Sequence, residues 1–188
     1  INANRTNPYY QKGLLLPDTV SATLDPTEAF DGCDFIFHAV PVQFSRATLE
    51  KVGPLMPAGV PVISLSKGFE TSTLCLMSDV LTECLGADRP LAYLSGPSFA
   101  AEIVNGIVTA VTIASYDRNL AIDVCTLLSS TNFRALYTPD VIGVEVGGAI
   151  KNVIAIAAGL CEGLGLGTNA MAALVTRGCS EMRRVVVM

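Results

Sequence analysis

Short apolar runs alternating with stretches of helical period organise the first part of the chain. Phe35–Val40, Val62–Ser66 and Leu91–Ser95 are each too short for a core helix and rich in β-branched or aromatic residues, which predicts three buried strands. Between the first two, Ser45–Gly53 suits a crossover helix. Between the next two, Leu74, Met77, Leu81 and Leu85 fall on one helical stripe. Runs that are apolar on both faces suit a parallel sheet covered by helices. With right-handed crossovers, this β-α-β-α-β pattern forms half of a doubly wound sheet. Val108–Ser115 and Phe133–Tyr137 predict two further strands, joined by a helix over about Arg118–Ser129.

After Thr138-Pro139-Asp140 the texture becomes helical with glycine-bearing turns. This places a boundary near residue 138, with 1–137 in a sheet domain and 138–188 opening an all-helical one. Ile142–Leu160 is close to the roughly 20 residues of a membrane span. Glu145, Lys151 and Asn152 interrupt it, however, and charge near the middle of a span is costly. The expectation is a buried helix of a soluble domain and no membrane span.

A chain of 188 residues that is 51% hydrophobic can bury a core, and a charged fraction of 15% argues against disorder. The net charge of −5 gives no basic footprint for nucleic acid, so a phosphate-bearing ligand must be met by a local site. The chain opens Ile1-Asn2-Ala3-Asn4-Arg5 with no Met and no basic leader, and reads as a fragment whose compartment this end does not report. Six cysteines show no C-x-x-C or metal-like spacing. They read as small buried hydrophobes in a reducing compartment, with no metal site.

Polar residues within apolar runs carry the candidate chemistry. Lys151 and Asn152 lie within Ile142–Leu160, and Lys67 closes Val62-Ile-Ser-Leu-Ser-Lys-Gly68, in a chain with only four lysines. An ammonium at the edge of an apolar element loses solvation unless a partner or ligand offsets the loss. Either lysine also suits a snorkelling or solvated role. Glu145, on a nearby turn, is placed to charge-balance Lys151. In an open parallel sheet ligands bind outside the carboxyl ends of the strands. Those ends read Val40-Pro-Val-Gln-Phe44, Ser66-Lys-Gly68 and Ser95-Gly-Pro-Ser-Phe-Ala100, with Phe44 and Phe99 suited to pack on a flat ring. His38 reads as core packing, and Arg177, Glu181, Arg183 and Arg184 read as a solvated helix face. Gly163-Leu-Gly-Leu-Gly167 mimics a dinucleotide fingerprint but follows a helix rather than a strand, so it is assigned to a helix–helix turn. A true phosphate loop would precede Ile1.

Ser64-Leu-Ser-Lys-Gly68, Leu94-Ser-Gly-Pro-Ser-Phe-Ala100, Val141–Val153 with its Gly-Gly-Ala-Ile-Lys-Asn block, and Gly163–Leu174 closely resemble the NAD(P)-dependent glycerol-3-phosphate dehydrogenase family. Asn4-Arg-Thr-Asn-Pro8 fits the segment after that family's second strand. His38–Phe44 looks closest to plant and algal plastid members. The resemblance implies a partial Rossmann-like α/β parallel sheet followed by part of an all-α substrate domain. It implies hydride exchange between NAD or NADP and sn-glycerol 3-phosphate or dihydroxyacetone phosphate, a small phosphorylated substrate.

By the same resemblance Lys151 and Lys67 are catalytic, with Lys151 as general acid/base. Asn152, Gly96 and Ser98 are substrate-binding, while Lys67, Ala100 and Phe44 lie on the cofactor side. A homodimer at full length is implied, in the cytoplasm or alternatively the plastid stroma. The family's Gly-rich fingerprint and its later arginine–asparagine pair fall outside the chain. Two other readings stand beside this one: a related two-domain hydroxy-acid dehydrogenase, and a non-catalytic nucleotide-binding fragment.

Overall fold

The structure, a computed structural model, describes residues 1–10 and 13–187. Its five strands lie side by side in sequence order: β1 (Ile36–His38), β2 (Val62–Ser64), β3 (Leu91–Ser95), β4 (Thr109–Ala114) and β5 (Phe133–Thr138). Helices connect and cover them: α1 (Pro26–Phe30), α2 (Val42–Val52), α3 (Met77–Leu85), α4 (Ala100–Val104), α5 (Arg118–Leu128), α6 (Val141–Gly163) and α7 (Gly167–Val187). Each expected strand is present: β1, β2 and β4 fall one or two residues short at one or both ends, β3 has the expected bounds and β5 runs one residue further.

Side chains alternate across the sheet and divide the core in two. Ile36, Val62 and Tyr93 face Leu49 of α2 and Met77, Val80 and Leu81 of α3, with Val141 of α6 joining them. Ile63, Ala92, Val111, Ile113 and Ala135 face Leu120, Ala121 and Val124 of α5 on the other side. Asp117 caps α5 by accepting from the amides of Asn119 (2.9 Å) and Leu120 (3.3 Å). His38 is buried, as expected. Its Nε2 lies 2.8 Å from Ser45 Oγ, which also reaches the carbonyls of Val40 and Pro41 and ties the first turn of α2 to β1.

The structure differs from the sequence reading at four points. First, the sheet is not wholly parallel: β4 runs antiparallel to β3, with Ser95 opposite Thr112 and Tyr93 opposite Ala114, while the other pairs are parallel. The segment after β3 contains only the five-residue α4. That helix rises about 7.5 Å, too little to recross the sheet, so the chain re-enters on the edge it left. Second, Leu74 lies outside α3, exposed at φ +63°, because Asp79 accepts from the Leu76 amide (3.0 Å) and starts the helix after it. Third, of the six cysteines, all free, only Cys161 is buried; Cys33, Cys75, Cys84 and Cys125 are half-buried, and Cys179 is exposed because only one side of α7 meets α6.

Fourth, α6 is not a buried helix. It is the one helix among the described residues long and apolar enough to span a membrane, but only 17% of that window is buried. Val141, Val146 and Gly148 pack inward, while Val153 (69% exposed), Ile156 (67%) and Leu160 (62%) form an outer flank. A two-helix hairpin laid on a sheet covers only the faces turned to the sheet and to each other. The expected α6–α7 turn is present, with Gly165 and Gly167 at positive φ, as is the solvated face of Arg177, Glu181 and Arg184 on α7.

Gly96 fixes the exit from β3. Its φ is +152°, and a Cβ there would stand 2.9 Å from the Val111 Cα and 3.0 Å from the Ala110 carbonyl oxygen on β4. Gly96→Ala is expected to lower unfolding stability by about 1–3 kcal/mol in urea titrations; an unchanged midpoint would contradict this constraint. Burial also holds the pKa of His38, the sole histidine, below its ordinary value. Its ring protons should therefore titrate by NMR with a midpoint under about 6.5. Because the unfolded chain takes up that proton first, stability is present above pH 6.5 or so and is lost as pH falls through the lowered value. A midpoint at or above the ordinary value would remove this account.

Candidate active site

Lys67 follows β2 at the carboxyl edge, and Lys151 lies ten residues into α6. Two adjoining hollows separate the sheet edge from α6. The smaller, about 10 Å³, is lined among others by Lys67, Tyr93, Ser95, Glu145 and Gly148. The larger, about 280 Å³, is lined by Ser95, Gly96, Pro97, Gly147, Gly148 and Lys151, with Thr112, Gly143 and Val144 completing it. Ser95, Val144 and Gly148 belong to both. The two lysines therefore border adjoining hollows that share one wall along the crevice between the sheet edge and α6. Burial, and secondarily the Lys151 ammonium, holds the Lys67 pKa below the ordinary lysine range.

The crevice exists because α6 carries glycine where it crosses β3. Gly148 is buried, and a Cβ on it would lie 2.8 Å from Ser95 Oγ and 3.8 Å from the Lys67 stem. Gly143 and Gly147, one turn apart, continue that bare face. The four-residue glycine spacing was visible in the sequence as a sign of close helix approach, and Ser95, Gly147 and Gly148 were nevertheless missed as site residues.

Glu145 does not balance Lys151, contrary to expectation. Its Oε1 accepts the Ser78 amide of the first turn of α3 (2.9 Å), while its buried Oε2 has no partner. The six-residue step from 145 to 151 turns the two side chains to different sides of α6. Burial raises the Glu145 pKa, against the opposing pull of the Ser78 bonds. Burial, and then Glu145, also raises that of Tyr93.

The remaining expected site residues are less closely gathered. Gly96 lies in the larger hollow, and Ser98 is half-buried just past it, its Oγ 3.5 Å from the Gly96 carbonyl. Ala100 is the exposed first residue of α4, and Phe44 is 65% exposed in the first turn of α2. Asn152 is exposed beside Lys151 on the outer flank and lines neither hollow. No cluster of His, Cys, Asp and Glu able to hold a metal ion occurs among the described residues.

Comparison with known proteins extends this geometry. Residues 1–121 match the N-terminal description of NAD-dependent glycerol-3-phosphate dehydrogenase, and residues 140–188 match its C-terminal description. A chloroplastic NAD(+) glycerol-3-phosphate dehydrogenase of Oryza sativa subsp. japonica is 50% identical, covering 97% of this chain and 42% of its own length. The NAD(P)+ enzyme of Nitratidesulfovibrio vulgaris strain DP4 is 46% identical over 100% of this chain and 57% of its own. The crystal structure of glycerol-3-phosphate dehydrogenase from Coxiella burnetii superposes with a TM-score of 0.90 at 35% identity, covering 99% of this chain and 57% of that one. The chain thus spans about half the length of the relatives it matches. A mostly parallel five-stranded sheet followed by a helical hairpin, with both parts matching in order, assigns this chain to the NAD-dependent glycerol-3-phosphate dehydrogenase family.

Proposed function

We propose that this chain, within a protein of its relatives' length, interconverts sn-glycerol 3-phosphate and dihydroxyacetone phosphate with NAD or NADP. In this reading residues 1–137 form the nucleotide-binding part and 138–188 open the helical substrate part. The observation that carries it is the meeting of Lys67 and Lys151, from elements far apart in the chain, on one crevice at the carboxyl edge of the parallel strands. Two ammonium groups held close repel each other, and a phosphorylated substrate relieves that cost. The cofactor suits the same rim. Phe44 and Phe99 present exposed rings there, 65% and 69% accessible, and Gly96 leaves the backbone bare.

The nicotinamide, when bound, supplies or accepts the hydride. Lys151 delivers a proton to the ketone oxygen and stabilises the developing alkoxide; in the reverse direction its neutral amine takes the hydroxyl proton. Lys67, exposed at the rim between the cofactor and substrate sides, orients and charge-balances both. Asn152, Gly96 and Ser98 hold the substrate, while Ala100 and Phe44 contact the cofactor. The proposal includes a homodimer at full length, for which the uncovered apolar flank of α6 is the support, and a cytoplasmic or plastid setting, the rice relative being chloroplastic by name.

In a chain extended to the relatives' length, Lys151→Ala is expected to cut turnover of dihydroxyacetone phosphate by on the order of 10²–10⁴-fold. NADH binding by fluorescence should stay near its unaltered strength, and near-normal rates would defeat the role given to Lys151. Lys67→Ala is expected to weaken both catalysis and ligand binding; an effect on neither would remove it from the site. A preference for a non-phosphorylated hydroxy acid over glycerol 3-phosphate would overturn the substrate assignment.

A further inference from the structure

The twelve residues from Leu65 to Leu76, which carry Lys67, form neither helix nor strand. No ladder or helical bonding fixes their course; backbone bonds close the turn between Glu70 and Cys75, and contacts from other elements tie that turn to the rest of the molecule. Ahead of Lys67, the Leu65 amide donates to the His38 carbonyl (2.9 Å) and Ser66 Oγ to the Val40 carbonyl (2.5 Å). Behind it, Gly68 at φ +120° turns the chain back against α2. Two α2 side chains one turn apart then grip it. Gln43 Nε2 donates to the Phe69 carbonyl (3.2 Å), and its Oε1 accepts from the Thr71 amide (3.3 Å) and hydroxyl (2.9 Å).

The Arg46 guanidinium holds Glu70 in a fork. Nε reaches Oε1 at 2.9 Å and Oε2 at 3.1 Å, while Nη2 reaches Oε2 at 2.9 Å. Its Nη1 extends to Glu83 on α3 (2.7 Å), and Thr73 Oγ1 donates to the same Glu70 carboxylate (2.6 Å). Glu70 is 6% exposed, and this buried carboxylate sits three residues past the lysine.

We propose that Arg46, acting through Glu70, is a positioning residue that holds Lys67 against the crevice bordered by Lys151. The catalytic meaning of that position rests on the dehydrogenase reading above; the latch itself does not. A planar fork suits a carboxylate in a way that a lysine ammonium cannot reproduce. Without Arg46 the buried Glu70 carboxylate loses its countercharge and keeps only the Thr73 hydroxyl, so residues 68–73 move to hydrate it, and Lys67 moves with them. The bond to Arg46 leads in holding the Glu70 pKa low, and the bond to Glu70 leads in holding that of Arg46 high. Around Lys67 itself, Lys151 of α6 bears on its charge, and Glu145 of α6 and Tyr93 of β3 line the same small hollow. Glu50 and Cys84 neighbour the latch from α2 and α3.

The test is competitive acetylation of lysines across a pH series, read by mass spectrometry on the chain without cofactor or substrate. In the unaltered chain Lys67 titrates below the ordinary lysine value of about 10.4. Arg46→Met and the isosteric Glu70→Gln are each expected to return Lys67 towards that value, with labelling of Lys51 unchanged. Arg46→Lys should fall between, and the Arg46→Met/Glu70→Gln double variant should go no further than either single change. If Arg46→Met fails to fold by circular dichroism, Glu70→Gln carries the test.

Unaltered Lys67 titration in a folded variant overturns the latch. In the extended enzyme, Arg46→Met is expected to lower kcat by on the order of 10- to 100-fold and to raise KM for the cofactor, as is expected of Lys67→Ala. Restored Lys67 titration without that loss would leave the latch standing and remove Lys67 from the chemistry. An extended chain that binds no NADH would defeat the dehydrogenase reading alone.

Discussion

The site depends on two places where no side chain stands. At Gly148 the backbone of α6 passes close to the end of β3, where an added methyl would meet the Ser95 hydroxyl. At Gly96 the turn out of β3 lies against the backbone of β4 in a conformation that residues with a Cβ rarely adopt. These two bare positions bring α6 and the turn after β3 close together, with the half-buried Lys151 on the wall of the hollow between them. Four of the nine residues lining the larger hollow are glycines, and Lys151 is the one cation on its wall. A chain of net charge −5 thus concentrates positive charge at one point, and attraction for an anion is local.

What could be read in advance follows from the range of each interaction. The strands were legible because Val62-Ile63 and Leu91–Ser95 carry their burial in their own composition. α5 was legible because Asp117 caps it and its apolar residues repeat at helical spacing. Leu74 misled because its spacing continued the α3 stripe, while the Asp79 cap that excludes it acts on the backbone. The direction of β4 was hidden, since strand periodicity is the same in either sense. The exposed flank of α6 was misread because a uniformly apolar helix announces burial without saying which of its faces has a neighbour.

Within the candidate site, Lys67 and Lys151 stood out in the sequence because charge is conspicuous among apolar residues, and both line its hollows. Glu145 was conspicuous for the same reason but was given the wrong partner: the amide it holds lies 67 residues away in the chain. The Arg46–Glu70 pair, separated by 24 residues and placed on an ordinary-looking helix and loop, carries no periodic or compositional mark. Side chains that fix other side chains emerge only once the topology has brought them together.

The strand reversal between β3 and β4 also decides which way the following helix points. Because β4 and β5 both run against β3, the chain leaves the sheet beside Ala114 and Thr138, level with Tyr93. α6 must then climb the sheet face towards the outer end of β3. At about 1.5 Å per residue, the ten residues after Val141 carry Lys151 some 15 Å, enough to clear the rim. Had β4 and β5 kept the sense of β1–β3, the same helix would begin at the rim and descend, delivering its ammonium to the far side of the molecule. One inverted hydrogen-bond ladder thereby sets the polarity of a helix in the next part of the chain.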